Sequence, residues 1–257
     1  MIDGMETIRR DFVVEDLEQV LHEAGIAGAI TVQARQSLAE TNWLLDLASA
    51  SSVIRGVVGW VPLTSSDLNR ELETLAAHRK LKAVRHVVHD ESDDFYILRE
   101  DFNRGVAALK EFDLGYDILI FERHLPQTIK FVDRHPTQIF VLDHIGKPRI
   151  KNGYLEPWST VLAELAHREN VYCKLSGMVT EGNWSSWAEN DLLPYFEVVL
   201  EAFGPRRIMF GSDWPVVLVA SPYKRWVDIV RRMISSLSDE EQDWIMGKTA
   251  VEAYQLS

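Results

Sequence analysis

The stretch of sequence that decides the fold is Arg207-Ile208-Met209-Phe210-Gly211-Ser212-Asp213-Trp214-Pro215. An apolar run of strand length opens onto Gly-Ser-Asp-Trp-Pro, so a carboxylate follows directly on a buried strand. Ligands of α/β proteins bind outside the carboxyl ends of parallel strands. Partial desolvation at such a place raises the pKa of a carboxyl group toward that of a general base. Asp213 is therefore a candidate catalytic residue, and capping of the following turn is the alternative role.

Three further apolar runs end on, or contain, polar side chains. One leads into Asp143-His144-Ile145-Gly146-Lys147-Pro148, a second contains Arg85 and His86, and a third has Lys174 at its centre. Charged side chains are costly to bury singly. We therefore expect these residues to converge on one hydrated mouth.

The composition limits the class of protein. The chain has 257 residues, of which 46% are hydrophobic and 26% charged, as expected for a globular enzyme. The net charge of −12 argues against nucleic acid or an anionic membrane as a partner. A single cysteine, Cys173, excludes an internal disulfide and a multi-cysteine zinc site. The absence of a long apolar run and of a signal-peptide pattern at Met1 predicts a cytoplasmic protein.

Strand-like and helix-like patterns alternate along the chain without a linker or a change in composition. Continuous β-branched strands that alternate with helices indicate a parallel sheet covered on both faces. We therefore predict one domain over residues 1–257. The seven predicted strands are Gly28–Gln33, Ile54–Val61, Leu81–Val88, Tyr116–Phe121, Gln138–Asp143, Val171–Leu175 and Arg207–Gly211.

The pattern begins with a helix, Asp16 to Ala24, as though a strand had preceded it. A (β/α)₈ barrel of the TIM type that lacks its first strand would give this order. A doubly wound sheet of seven strands is the alternative, and periodicity alone does not separate the two. The few residues before Ile8 lack the length and apolar alternation of a strand.

Seven motifs follow one another along the chain. They are Ile8-Arg9-Arg10-Asp11-Phe12, Val32-Gln33-Ala34 with Glu40-Thr41, Val58-Gly59-Trp60-Val61, Asp143-His144-Ile145-Gly146-Lys147-Pro148, Lys174-Leu175-Ser176-Gly177, Phe210-Gly211-Ser212-Asp213-Trp214-Pro215, and Ala250 with Tyr254-Gln255-Leu256. In this order they resemble the amidohydrolase superfamily, in particular the amidohydrolase-2 branch that contains L-fucono- and L-rhamnono-lactone hydrolases. The resemblance implies a (β/α)₈ barrel in which Gln138–Asp143 is strand six and Arg207–Gly211 is strand eight.

The chain departs from the family pattern at its beginning. The first strand of the family ends in His-x-His, whereas the first histidine here is His22, inside the first predicted helix. The sequence therefore resembles an N-terminally truncated member. Of the residues that bind a divalent metal such as zinc in metal-dependent members of the family, only His144 and Asp213 are matched here. The resemblance therefore makes a metal possible, but we assign no cofactor and no metal ligand.

Strand alternation limits which neighbouring side chains can face the same side of the sheet. Only one of Asp143 and His144 is expected in the mouth, and the resemblance favours His144, which leaves Asp143 a structural role. Arg85 and His86 face opposite sides, and alternation does not say which of them binds substrate. Lys174 is expected near a carboxylate or a ligand oxygen.

Further residues complete the predicted substrate-binding set. Gln33 ends the first predicted strand, where its amide could bind a hydroxyl group, and Trp214 adjoins Asp213. Trp184 and Trp187 lie on a loop after the strand that contains Lys174 and could form a lid or a sugar-stacking wall. Packing of the loop onto the barrel is the alternative for these two tryptophans.

The leading hypothesis is a hydrolase that opens a small lactone ester, an aldonolactone of the L-fucono or L-rhamnono type, with Asp213 as general base. The alternatives are a metal-dependent amidohydrolase or decarboxylase on the same fold, and a catalytically impaired remnant. The partner is a small-molecule substrate, and a homo-oligomer is left open. We predict that His144 and Asp213 lie within a few ångströms, with Lys174 pointing toward them. Between the first and last strands we predict either an open slot or a replacement segment from a neighbouring chain. We also predict weak or no metal binding and reduced lactonase activity.

Overall fold

The protein was analysed as a computed structural model, which describes residues 4–256. Met1, Ile2 and Asp3, part of the segment before Ile8 considered above, lie outside the described residues. Within residues 4–256, seven parallel strands form one sheet in the order β1-β2-β3-β4-β5-β6-β7. The strands are β1 Ala29–Val32, β2 Ile54–Gly59, β3 Leu81–Val87, β4 Gly115–Leu119, β5 Phe140–Leu142, β6 Val171–Leu175 and β7 Ile208–Phe210.

The strand order decides between the two architectures that the sequence allowed. A doubly wound sheet reverses its order at a switch point, whereas here each strand pairs with the next one along the chain. The seven predicted strands are confirmed, with ends that differ by up to a few residues. The sheet is a TIM-like barrel that lacks one strand, as predicted.

Helices follow the strands and cover the outer face of the sheet. Local capping explains where several of them begin or end: Ser37 accepts the backbone N–H of Glu40 at the start of α2, and Gly25 ends α1 with a φ of 64°. The helices are α1 Val14–Ala24, α2 Leu38–Ala50, α3 Leu68–Leu75, α4 Glu100–Leu109, α5 Leu125–Asp133, α6 Trp158–Ala166, α7 Met178–Glu181, α8 Glu189–Phe203, α9 Tyr223–Met233, α10 Asp239–Asp243 and α11 Thr249–Ala253, with a π-helical turn Trp244–Lys248 joining the last two.

Two apolar layers hold the sheet. The larger one lies between the strands and the outer helices and includes Phe102, Phe131 and Trp158. The smaller one brings side chains of five strands together with Ala253 and Tyr254 from the C-terminal segment. Because residues from β2 and β7 share this second cluster, the sheet is curled and the C-terminal segment fills its concave side.

The curled sheet does not close. Within the described residues, β1 and β7 each pair with one neighbour only, so the sheet has two free edges that face a common slot. The outer side of the slot is covered by the packing of α1 on α9, where Leu21 and Ala24 contact Tyr223 and Val227. In this part of the chain no helix has both the length and the apolar character needed to cross a membrane.

Candidate active site

His144 and Asp213 meet at the carboxyl ends of β5 and β7. The Nε2 atom of His144 lies 3.8 Å from Oδ1 of Asp213, and both side chains are largely buried and border the same cavity. The prediction that these two residues lie within a few ångströms is thereby confirmed. Each has a left-handed backbone conformation, with φ of 54° for His144 and 56° for Asp213. This conformation costs a non-glycine residue roughly 1–3 kcal/mol, so the surrounding structure holds both residues in place.

Burial changes the protonation of both residues in opposite directions. It raises the pKa of Asp213 to about 6, although Lys147 and Arg85 act to lower it. It lowers the pKa of the His144 imidazole to about 3, against the attraction of the Asp143 carboxylate. Near neutral pH the pair is therefore an ionised carboxylate beside an uncharged imidazole.

Ser176 orients His144 and was not singled out from the sequence. Its hydroxyl lies 2.8 Å from Nδ1 of His144, so Nε2 is the ring nitrogen that faces Asp213. Gly177, the next residue, has a φ of 69°, and a Cβ atom there would lie 2.7 Å from Cβ of His144. The feature of the sequence that could have indicated Ser176 is its position: a small polar residue, followed by a glycine, directly after the buried strand β6.

Asp143 and His144 both face the interior, contrary to the prediction from alternation. The strand β5 ends at Leu142, and residues Asp143–Gly146 form a tight turn in which His144 and Ile145 have left-handed backbone conformations, so the period of two no longer applies. Asp143 accepts hydrogen bonds from Arg85 Nη1 at 2.7 Å and from Lys174 Nζ at 2.5 Å. Asp143 is therefore part of the ion network of the site, where it holds Arg85 and Lys174.

Lys174 does point into the mouth, but its partners are not His144 and Asp213. Its ammonium donates to Asp143 and, at 2.9 Å, to Asp117 of β4, whose carboxylate also accepts the Tyr254 hydroxyl at 2.7 Å. Burial opposes the charge on Lys174, but the two carboxylates raise its pKa well above the usual range. The pKa of Asp143 is held below its usual range by Lys174 and Arg85 against the effect of burial.

Arg85 and His86 point in opposite directions, and the structure shows which one reaches the site. The Arg85 guanidinium donates to Asp143 and to the backbone oxygen of Gln33, and its Nε has no partner among the described residues. His86 points to the helical layer, where Nε2 lies 2.7 Å from Glu91 and the ring stacks on Tyr96. His86 is thus removed from the predicted substrate-binding set, because alternation turns it away from the cavity.

Gln33 and Trp214 lie where the sequence predicts them. The Gln33 side chain is buried, donates to the Arg85 backbone oxygen at 3.2 Å, and leaves Oε1 without a partner in the part of the chain described. Trp214 borders the cavity and packs edge-on against Phe12, with ring centres 5.2 Å apart. An aromatic wall such as Trp214 is suited to a polyhydroxylated ligand, and Gln33 lines the same cavity.

One cavity of about 1300 Å³ is bordered by Gln33, Arg85, Asp143, His144, Lys174, Ser176, Asp213 and Trp214. The cavity continues from the mouth into the slot between the free edges of β1 and β7, which contribute Ile30, Val32 and Phe210. The predicted gap between the first and last strands is therefore present.

Trp184 and Trp187 are held by packing of their loop onto the barrel. The Trp187 indole is buried, donates to the backbone oxygen of Ala220 at 2.8 Å and lies beneath the Arg225 guanidinium. Trp184 donates to the Thr180 backbone oxygen at 2.7 Å. Neither residue borders the cavity. The two tryptophans therefore pack the loop onto the barrel, as the alternative interpretation stated, and do not form a lid over the cavity.

Comparison with known proteins identifies the family of this chain. The family model for amidohydrolases matches residues 1–256. The chain belongs to the amidohydrolase family. Similar members of this family include an L-fucono-1,5-lactonase of Burkholderia multivorans, 40% identical over 98% of this chain and 89% of the relative. Another, an L-fucono-1,5-lactonase of Burkholderia ambifaria, is 37% identical over 85% of this chain and 75% of the relative.

Solved structures of the family agree with the fold. A crystal structure of an amidohydrolase from Burkholderia multivorans with bound HEPES superposes with a TM-score of 0.95 at 38% identity, and covers 100% of this chain and 93% of the other. A second crystal form from the same organism, with bound zinc, gives a TM-score of 0.94 at 40% identity with the same coverage.

The metal donors of this chain fall short of what a zinc site requires. Catalytic zinc sites use three protein ligands and an open position. Among residues 4–256, no group of three His, Cys, Asp or Glu side chains is arranged to hold a metal ion, and His144 with Asp213 supplies two donors. These residues alone do not complete a zinc site, and no catalytic step is derived through a metal.

Proposed function

We propose that this protein hydrolyses the ester bond of a small lactone, an aldonolactone of the L-fucono-1,5-lactone type. The observation that carries the proposal is the His144–Asp213 pair at the mouth of the cavity. The lactonases named among its relatives, at 37–40% identity over most of the chain, support the substrate class.

The geometry of the pair suits the attack of water on a carbonyl carbon. A separation of 3.8 Å between Nε2 and Oδ1 is too long for a direct hydrogen bond. One oxygen atom can instead lie within hydrogen-bond distance of both groups. We place the attacking water there, with Asp213 accepting its proton and His144 orienting it.

The same carboxyl group can complete the reaction. Attack by water forms a C–O bond and a tetrahedral oxyanion, whose collapse breaks the ring C–O bond. The leaving alkoxide takes the proton that Asp213 received, so the products are the open hydroxy acid and the original carboxylate. A carboxyl group with a pKa of about 6 suits both transfers near neutral pH.

Arg85 and Gln33 are placed to bind the rest of the substrate. Arg85 borders the cavity, where its guanidinium, although paired with Asp143, offers an N–H donor to the carbonyl oxygen, and Gln33 lines the cavity beside it. A preorganised donor aimed at a developing oxyanion is worth about 3–4 kcal/mol. Lys174, already bound to two carboxylates, holds Asp143 and through it Arg85.

The test is the isosteric substitution Asp213→Asn, assayed for opening of L-fucono-1,5-lactone. Loss of the general base should lower kcat by about 10²–10⁴-fold, with KM changed less. The matched control is Asp228→Asn on the outer helix α9, where the carboxylate pairs with Lys224 on the surface; this variant should keep full activity. Unchanged turnover in Asp213→Asn would exclude the assigned role.

A further inference from the structure

The charges around the catalytic pair are already paired with one another. The three cations that act on His144 are Arg85, Lys147 and Lys174. Arg85 binds Asp143, and Lys174 binds Asp143 and Asp117. Lys147, whose Nζ lies 3.3 Å from Oε1 of Glu181, has its own carboxylate partner. Each of the three positive charges is therefore already compensated by a carboxylate of the protein, and none is free to pair with a negatively charged substituent of a substrate.

The pair formed by Lys147 and Glu181 lies at the carboxyl ends of the strands, on the same face as the catalytic residues, although neither side chain borders the cavity itself. Lys147 follows His144 in the turn after β5, and Glu181 ends α7, whose Thr180 lies 3.4 Å from Oδ2 of Asp213. After burial, Lys147 is the strongest influence on the pKa of Asp213, which it lowers. Both side chains are partly exposed, at 19% and 24%, so their charges act on a ligand that approaches the mouth from solvent.

We propose that Glu181 determines the charge selectivity of this site: by pairing with Lys147, it makes the mouth accept uncharged lactones and disfavour lactones that bear a carboxylate. The inference rests on the proposed lactone hydrolysis. A carboxylate-bearing lactone would face the unpaired Asp213 carboxylate and gain no free cation in return, and such like-charge juxtaposition is a common basis of selectivity. The same pairing weakens the hold on the anionic hydroxy-acid product, which favours its release.

The experiment compares two substrates that differ at the last carbon, which is an uncharged hydroxymethyl group in galactonolactone and a carboxylate in the monolactone of galactarate. The ratio of their kcat/KM values measures selectivity. Glu181→Gln frees Lys147, so the preference for the uncharged lactone should fall by about fivefold, the size expected of a partly exposed pair. The change should appear mainly in KM for the anionic lactone.

Two further variants make the result specific to the pair. Lys147→Met leaves Glu181 uncompensated and should increase the preference for the uncharged lactone, and the double variant should return it toward the native value. The matched control is Glu122→Gln, which removes the carboxylate of another ion pair, formed with Arg149, that contacts neither His144 nor Asp213. This control should leave the ratio unchanged.

Failure of this inference can be separated from failure of the proposed function. If the native protein opens neither lactone, lactone hydrolysis is wrong for these substrates, and calorimetric binding of galactonate then tests Glu181 alone. Tighter galactonate binding to Glu181→Gln than to the native protein supports the role. An unchanged selectivity ratio, or unchanged galactonate binding where no turnover occurs, would overturn it.

Discussion

At the scale of single residues, Gly177 shows how the sequence fits the catalytic histidine. Replacing it with alanine should cost about 1 kcal/mol of stability, because its φ of 69° is unfavourable for any residue with a Cβ. The added Cβ would also lie 2.7 Å from Cβ of His144 and displace the ring. We expect Gly177→Ala to lower kcat/KM for lactone opening by at least tenfold, on the order of the loss that a misplaced catalytic group causes.

Gly153 provides a control with the same backbone requirement and no neighbour. Its φ is 67°, and a Cβ atom there would contact nothing within 4 Å. Gly153→Ala should therefore show a similar loss in urea denaturation but keep its activity. Equal activity losses in the two variants would mean that the contact with His144 is unimportant.

A second residue-scale prediction concerns pH. Asp213 must be ionised to accept a proton, and burial raises its pKa to about 6, so kcat/KM should rise as the pH increases through about 6 and level off above 7. His144, with a pKa of about 3, stays uncharged over this range, so it does not produce a second inflection in the pH profile. Initial rates between pH 4.5 and 8, corrected for spontaneous lactone opening, measure the profile. A flat profile would exclude Asp213 as the base.

At the scale of elements, sequence patterns identified the strands well but located their ends less well. All seven strands were predicted, because buried parallel strands read as continuous apolar runs. The strand β5 was predicted to reach Asp143 but ends at Leu142. That single residue explains the error about Asp143 and His144, since alternation holds only inside a strand. Within β3, where the strand continues, alternation separated Arg85 from His86 as expected.

Partners across the sheet could not be read from the sequence. A lysine in a covered strand needs a carboxylate partner, which predicts that Lys174 lies in the mouth. The residues around Lys174 in the sequence do not identify Asp117, fifty-seven positions earlier, as that partner. The C-terminal Tyr254, which binds the same carboxylate, was likewise missed as a contact. A charged residue inside the apolar strand β4 was the signal available for Asp117.

At the scale of the whole molecule, the open slot determines which backbone groups lack a partner. Ala29 and Gln33 donate their N–H groups to β2, and Gly211 donates to β6. Because successive N–H groups of a strand point to opposite sides, those of Ile30, Val32 and Phe210 face the slot. Free edges of this kind are sites where another strand can add.

We therefore predict that the slot-facing amides exchange rapidly with solvent. Hydrogen exchange followed residue by residue should show little protection at Ile30, Val32 and Phe210. Strong protection is expected at Gln33 and Gly211, and throughout β3 and β4, which are paired on both sides. Dilution should not alter this pattern if the slot is open in solution. Protection of the three slot-facing amides that disappears on dilution would mean that a segment of a second copy pairs with these edges. Protection that persists at all concentrations would contradict an open slot, since some strand would then pair with β1 and β7 in each molecule.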